Sequence, residues 1–302
     1  MQMKEHLPLR YFVVTFAWAW LIEIPLALAG FGYIQIGKEL LKVIALPATI
    51  VATFGPAAGV FYSLHTLNGK GSIKKYLKNL CDLRLGWKAW LIPIIVLGAS
   101  TYVAWVVPEL WGEPRLKMLL PSLWAFPLYL LIMIFFGGGQ EELGWRGYIL
   151  DPMEERLGPW LGNLLLGVIW AVWHLPLWFI PIPGFTESYT NFAGFTIQTI
   201  GYSYFFAWVR QTSGKRTMAC LVTHGMANAF ILVFPTVLMI KGVPQTRFWL
   251  WVWLTFAIGI TTMMIRTLKV NRSKYEPEYQ KKEINFETPH NRRGSNKCLA
   301  RE

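Results

Sequence analysis

Eight apolar runs divide this chain: Tyr11 to Phe31, Leu41 to Leu67, Ala89 to Val107, Leu119 to Phe136, Trp160 to Ile180, Phe192 to Val209, Thr217 to Ile240 and Phe248 to Ile265. Each is near the ~20 residues a helix needs to cross a hydrocarbon core about 30 Å thick. Inside such a core every backbone N–H and C=O needs a protein partner, which leaves helices or a closed barrel. A barrel would show short strands of alternating polarity, and none is visible. The expectation is an all-α, polytopic membrane protein with about eight transmembrane helices. Composition agrees, with 54% of residues hydrophobic and 15% charged, against about 25% charged in a soluble domain. The 16% of Phe, Trp and Tyr suits aromatic belts at both membrane surfaces.

Breaks within and between the runs give the organisation. The first run carries Glu23 and Pro25. An Ala27-Leu28-Ala29 cleavage site is conceivable, but Glu23 interrupts the apolar stretch and the run is long, so a retained helix is expected. Glu23 itself is expected to be a partnered or water-facing carboxylate inside the bundle. Pro47 and Gly55-Pro56 should kink the second run, and His65 near its end should be interfacial. Asn68 to Trp87, with Lys70, Lys74, Lys75, Lys78 and Arg84, has the pattern of an amphipathic helix lying along headgroups. Asp151 to Leu157 is expected to be an interfacial turn closed by Gly158-Pro159, and Pro176 should break the fifth run. Residues 1–266 would form the membrane core. Residues 267–302, polar and basic, would be a largely disordered tail.

The net charge of +12 lies outside the apolar runs. With an inside N-terminus and eight crossings, the outside loops hold only Lys38, Lys42, Arg115, Lys117, Lys241 and Arg247 among the cations. The rest fall inside, so both termini are expected to be cytoplasmic, in a cell membrane. Basic loops facing anionic lipid account for this charge, and nucleic acid is not expected as a partner. The cysteines Cys81, Cys220 and Cys298 have no paired spacing for a disulfide framework or metal knuckle. Cys298 is also misplaced for a prenylation signal.

Chemistry is concentrated in Gly137 to Leu150, GGGQEELGWRGYIL, directly after the fourth run. Ionisable groups at that depth are expensive, which makes them functional candidates. The three glycines lower helix propensity, so the chain should bend just before Glu141. If the following segment is helical, Glu142 and Arg146 face each other at i, i+4. Glu141 then points elsewhere, free to act as general base or acid. Trp170 and His174 share a face on the fifth run, with the indole beside the imidazole. His224 and Asn228 share a face on the seventh and could donate hydrogen bonds to a developing oxyanion. Each pair alone is equally consistent with interhelical hydrogen bonding. Together, Glu141 and His174 could hold and deprotonate a water, with His224 and Asn228 stabilising the tetrahedral intermediate.

These motifs resemble those of the CPBP family, the CAAX-processing and bacteriocin-processing (ABI) intramembrane endopeptidases. The family's EExxxR, aromatic-xxx-His and His-xxx-Asn signatures match Glu141-Glu142-Leu-Gly-Trp-Arg146, Trp170-Ala-Val-Trp-His174 and His224-Gly-Met-Ala-Asn228 in order. The resemblance covers about Gly137 to Phe230. Trp170 stands where the family usually has Phe, and keeps the aromatic packing role. The resemblance implies Glu141 as base, His174 as its water-binding partner, and His224 with Asn228 as the oxyanion site. Glu142, Arg146 and Trp170 would support them. It implies hydrolysis of peptide bonds in a membrane-associated protein or peptide, which could be a lipidated, CAAX-type one.

Metal dependence stays open. Glu141, His174 and His224 could form a zinc site with an open position, but there is no HExxH and Asn228 is a poor zinc ligand. A metal-free, glutamate-dependent reaction is the favoured expectation. Two rivals remain. A non-enzymatic scaffold or bacteriocin-immunity protein would keep its function without Glu141. A proton-coupled transporter would use Glu23, Glu141 and the histidines as a relay, though no inverted repeat is evident.

Overall fold

A computed structural model describes residues 8–80, 82–180, 191–237 and 245–275. Cys81, Cys298, Lys241, residues 181–190 and 238–240, and the tail from 276 onward lie outside the described residues. Those described are helical or irregular, with no strand among them.

The helices follow the apolar runs in order. Helix α1 is Leu9–Gly30, α2 Lys38–Ala52, α3 Gly55–Asn68, α4 Lys70–Leu80 and α5 Gly86–Val106. Next come α6 Phe126–Phe135, the short α7 Glu142–Gly144, α8 Leu150–Trp173, α9 Phe192–Thr212, α10 Thr217–Val233 and α11 Thr246–Tyr275. The chain clusters into two units, Met1–Met263 and Met264–Glu302. The first holds every site described below. In the second, residues 264–275 are helical.

Four stretches are long and apolar enough to cross a membrane: Leu9–Gly30, Gly86–Trp111, Leu123–Phe179 and Thr246–Lys269. A fifth is possible if α2 and α3, bent by 40° at their junction, form one span. The described residues thus give the all-helical fold of a multi-pass membrane protein. The eight separate crossings expected from the runs are not reached by this measure. The fourth and fifth runs fall in one 57-residue stretch, and α10 is a shorter apolar helix. Helix α9, bearing buried Gln198, Thr199, Ser203 and Arg210, is not among the candidates.

Helix α1 shows how the bundle is ordered. Tyr11, Thr15, Ala19 and Glu23, spaced four apart, form its buried stripe. Val13, Leu21, Ile24 and Leu28 stay exposed. Apolar side chains face outward and small or polar ones inward, as expected where lipid replaces water and close packing with hydrogen bonds joins the helices. Trp20 donates its indole N–H to the Trp173 carbonyl at 3.0 Å, and Trp173 donates to the Thr15 carbonyl at 3.2 Å. These bonds tie α1 to the end of α8. Glu23 is 2% exposed, and its Oε2 has no hydrogen-bond partner. It lies inside the bundle as expected, with one carboxylate oxygen left without a partner.

The second run bends by 40° at Thr53-Phe54, directly before Gly55-Pro56 as expected, while Pro47 sits inside α2. Two local expectations are corrected. The basic amphipathic segment forms a helix only over Lys70–Leu80, and Trp87 belongs to α5. Asp151 to Leu157 is helix, not an interfacial turn. Side-chain contacts hold this helical segment up to the break at Gly158. Arg210 pairs with Asp151 at 2.7 Å, and Asn163 bridges the Glu154 carboxylate and the Pro159 carbonyl at 2.6 and 2.9 Å. Gly158, at φ +76°, takes up the kink in a region that suits glycine. His65 is exposed near the end of α3, as an interfacial residue would be. Cys220 is buried and unbridged.

Candidate active site

The glycine-rich turn sets the geometry. Gly138 adopts φ +119°, and a Cβ there would meet His224 Nε2 and Asn228 Nδ2. Only glycine satisfies both the backbone angle and the space. The turn is held by Gln140, whose Oε1 accepts from the Gly138 N–H at 3.0 Å and whose Nε2 donates to Thr53 Oγ1 at 2.6 Å. Thr53 lies at the α2–α3 break, so that bend and this turn are joined. A single 3₁₀ turn, Gly139–Glu141, then leads into α7. A π-helical turn over Trp145–Ile149 follows, a wide turn often found at functional sites.

Glu141 and Glu142 point to different partners. Glu141 is 2% exposed, and its Oε2 accepts from Trp170 Nε1 at 2.8 Å. Its Oε1 lies 3.8 Å from His174 Nε2. His174 Nδ1 is 2.9 Å from the Trp170 carbonyl. A carbonyl only accepts, so Nδ1 carries the proton, and Nε2 of the neutral ring is an acceptor. Two acceptors at that separation do not bond each other directly. A water donating one hydrogen to each would bridge them, with its lone pairs turned away.

Glu142 is fully buried with Arg146. Its Oε1 accepts from Arg146 Nη1 at 2.9 Å and lies 2.9 Å from His224 Nδ1. The carboxylate thus makes His224 a donor at Nδ1 and turns Nε2 toward Gly138. The Arg146 guanidinium lies 4.8 Å from the Trp170 ring and 5.0 Å from the Phe206 ring, a cation held between aromatic faces. Asn228 donates its Nδ2 to the Gly137 carbonyl at 2.6 Å, which commits one of its two amide hydrogens.

The structure therefore brings all seven sequence-nominated residues into one cluster, but in two linked groups. Glu141, Trp170 and His174 form one. Glu142, Arg146, His224 and Asn228 form the other, at the Gly138 turn. Trp170 does more than pack beside His174, since its N–H holds Glu141. Gln140 was missed by sequence reasoning. An amide buried beside the motif in an apolar setting was the available signal. Among the described residues, no group of three or more His, Cys, Asp and Glu side chains is placed to hold a metal ion. Of the three residues considered from sequence for zinc, Glu141 and His174 face each other and His224 turns to Glu142.

Residues 123–230 match the family model described as Type II CAAX prenyl endopeptidase Rce1-like. This match agrees with the resemblance to the CPBP family that the three motifs carry. Among curated proteins, the chain is similar to CAAX prenyl protease 2 of Methanococcus maripaludis, 26% identical over 102 residues. That alignment covers 32% of this chain and 38% of the archaeal protein, so well under half of each is compared. The matched segment runs from just before α6 to the C-terminal turns of α10. It contains Glu141, Glu142, Arg146, Trp170, His174, His224 and Asn228.

Proposed function

We propose that this chain is an intramembrane endopeptidase that hydrolyses a peptide bond of a membrane-associated protein, with a lipidated, CAAX-type C-terminus as one substrate class. The observation that carries the reading is the buried pairing of Glu141 Oε1 with His174 Nε2 across 3.8 Å. Both face a position suited to a water, and the Trp170 ring, 5.2 Å from that of His224, links them to the Gly138 turn. The CPBP match supports it.

In this mechanism Glu141 takes a proton from the water as its oxygen attacks the scissile carbonyl carbon. His174 accepts the water's other hydrogen and fixes its lone pairs toward the carbonyl. Trp170 holds the far oxygen of Glu141, so the base does not swing. The carbonyl oxygen gains negative charge beside Gly138. There the second Asn228 amide hydrogen donates to it, with the His224 ring beside the same turn. The C–N bond then breaks, and the proton held by Glu141 passes to the leaving amine. No step is routed through a metal.

The test compares peptide termini in membranes from cells carrying the wild-type protein or Glu141→Gln at equal levels. Termini lost in the variant identify the substrate and its cut site. If no termini change while Glu141→Gln still rescues the deletion, the endopeptidase reading fails and the scaffold reading replaces it.

A further inference from the structure

On the far side of the π-helical turn lies a cavity of about 510 Å³ that the proposed chemistry does not use. It is bounded by α4, the π turn at Gly147, the segment after α9 and the first residue of α10. This volume is within the range of about 300–1,000 Å³ common for small-ligand sites. Its lining is strongly basic: Lys78, Arg84, Arg210, Lys215 and Arg216, with Asp82 the acidic residue among them.

Most of these cations are only partly committed. Asp82 is shared by Arg84 at 2.8 Å and Arg216 at 3.2 Å. Hydrogen bonds from Arg84 hold the Asp82 carboxyl well below the usual carboxylate range, so it remains ionised. Arg210 is 8% exposed and gives both terminal nitrogens to Asp151, at 2.7 and 2.9 Å. Its Nε is buried with no hydrogen-bond partner. An unmet donor on a buried guanidinium is costly. Helix α10 starts here, at Thr217, with no side chain capping its free N–H groups, which adds positive potential. Lys78 and Lys215 complete the rim.

We infer that this cavity binds a phosphate group, supplied either by an anionic phospholipid headgroup or by a free phosphoanion. The chemistry is that of tetrahedral anion recognition: guanidinium, ammonium and helix N-terminal donors converging on one basic hollow. The cavity also adjoins the candidate active site through covalent structure. Gly147 follows Arg146 directly, and Tyr76, which lines the cavity, donates its hydroxyl to the Leu143 carbonyl at 2.6 Å. Occupancy would therefore brace the turn that carries Glu142 and Arg146. The binding inference does not depend on the endopeptidase reading.

The test uses the full-length protein in nanodiscs and reads its thermal unfolding midpoint. Discs of phosphatidylcholine alone are compared with discs containing phosphatidylglycerol, and with phosphatidylcholine discs plus inorganic phosphate. Stabilisation by phosphatidylglycerol only assigns the site to a lipid headgroup. Stabilisation by inorganic phosphate as well assigns it to free phosphoanions. In either case Lys78→Gln with Lys215→Gln should weaken the response about 25-fold in ligand concentration, at roughly fivefold per lysine. Lys74→Gln with Lys75→Gln, on α4 but outside the cavity lining, should leave it unchanged. No stabilisation of the wild type by either probe overturns the inference. So does an equal loss in both double variants, since that would mean diffuse surface charge.

Discussion

Glu142→Gln is the most informative perturbation of the buried site. Glu142 and Arg146 are each 0% exposed and 2.9 Å apart, and the same carboxylate oxygen meets His224. Removing one member of such a pair costs about 3–5 kcal/mol, because the other charge stays buried without compensation. Glutamine keeps the shape and an accepting oxygen but not the charge. Arg146 would be left with the Trp170 and Phe206 faces and with two nitrogens, Nε and Nη2, already lacking partners. The rings keep part of the cation's stabilisation, which places the loss near the lower end, about 3 kcal/mol. Arg146→Met should cost less, about 2 kcal/mol, since the Glu142 carboxylate keeps its hydrogen bond from His224 Nδ1. With both changed, no uncompensated charge remains. The double variant should fall short of the summed singles by about 2 kcal/mol, within the usual range for coupled neighbours. SDS titration of the detergent-solubilised protein, followed by tryptophan fluorescence, measures all four forms. A double variant that costs the full sum of the singles refutes the argument that the pair is held by mutual neutralisation.

Three further outcomes follow from the same geometry. Trp170→Phe keeps the ring but removes the N–H on Glu141, so cleavage of the substrate found by terminus profiling should fall about tenfold with little change in SDS midpoint. An unchanged rate would leave Trp170 a packing residue. Gly138→Ala puts a methyl group against His224 Nε2 and Asn228 Nδ2 at a backbone angle alanine disfavours; cleavage should be lost by about 100-fold or more, and a rate within threefold of wild type would place the oxyanion site elsewhere. Asp82→Asn removes the acidic member of the basic cavity lining and should tighten phosphate binding about fivefold at neutral pH, read by the same nanodisc titration; weaker binding would mean that Asp82 organises the cationic side chains rather than competing with the ligand.

Much of the architecture was legible in the residues. The apolar runs announced helices because lipid allows few other ways to satisfy the backbone, and the Gly137–Gly139 bend followed from glycine's conformational freedom. The candidate residues were legible as types at helical spacing: Glu142 with Arg146, Trp170 with His174, His224 with Asn228. Less legible was anything set by contact across helices. The segment Asp151 to Leu157 looked like a turn because it is short and polar. It is helix, with Asp151 held by Arg210 from 59 positions away and Glu154 by Asn163 from beyond the Gly158 kink.

What the sequence determined by itself was the solvent, the helical class and the ordered set of reactive side chains, all properties of local composition and period. The tertiary structure decided which atom meets which. It gave Trp170 to Glu141, turned His224 to Glu142 and set Asn228 on the Gly137 carbonyl. It also gathered cations from α4, α9 and the segment between α9 and α10 around one cavity. The physical reason is that spacing along a helix defines a face, whereas register between helices depends on the close approach of small residues and on which buried donors find acceptors. Those pairings span dozens of positions in the chain and leave no periodic trace in it.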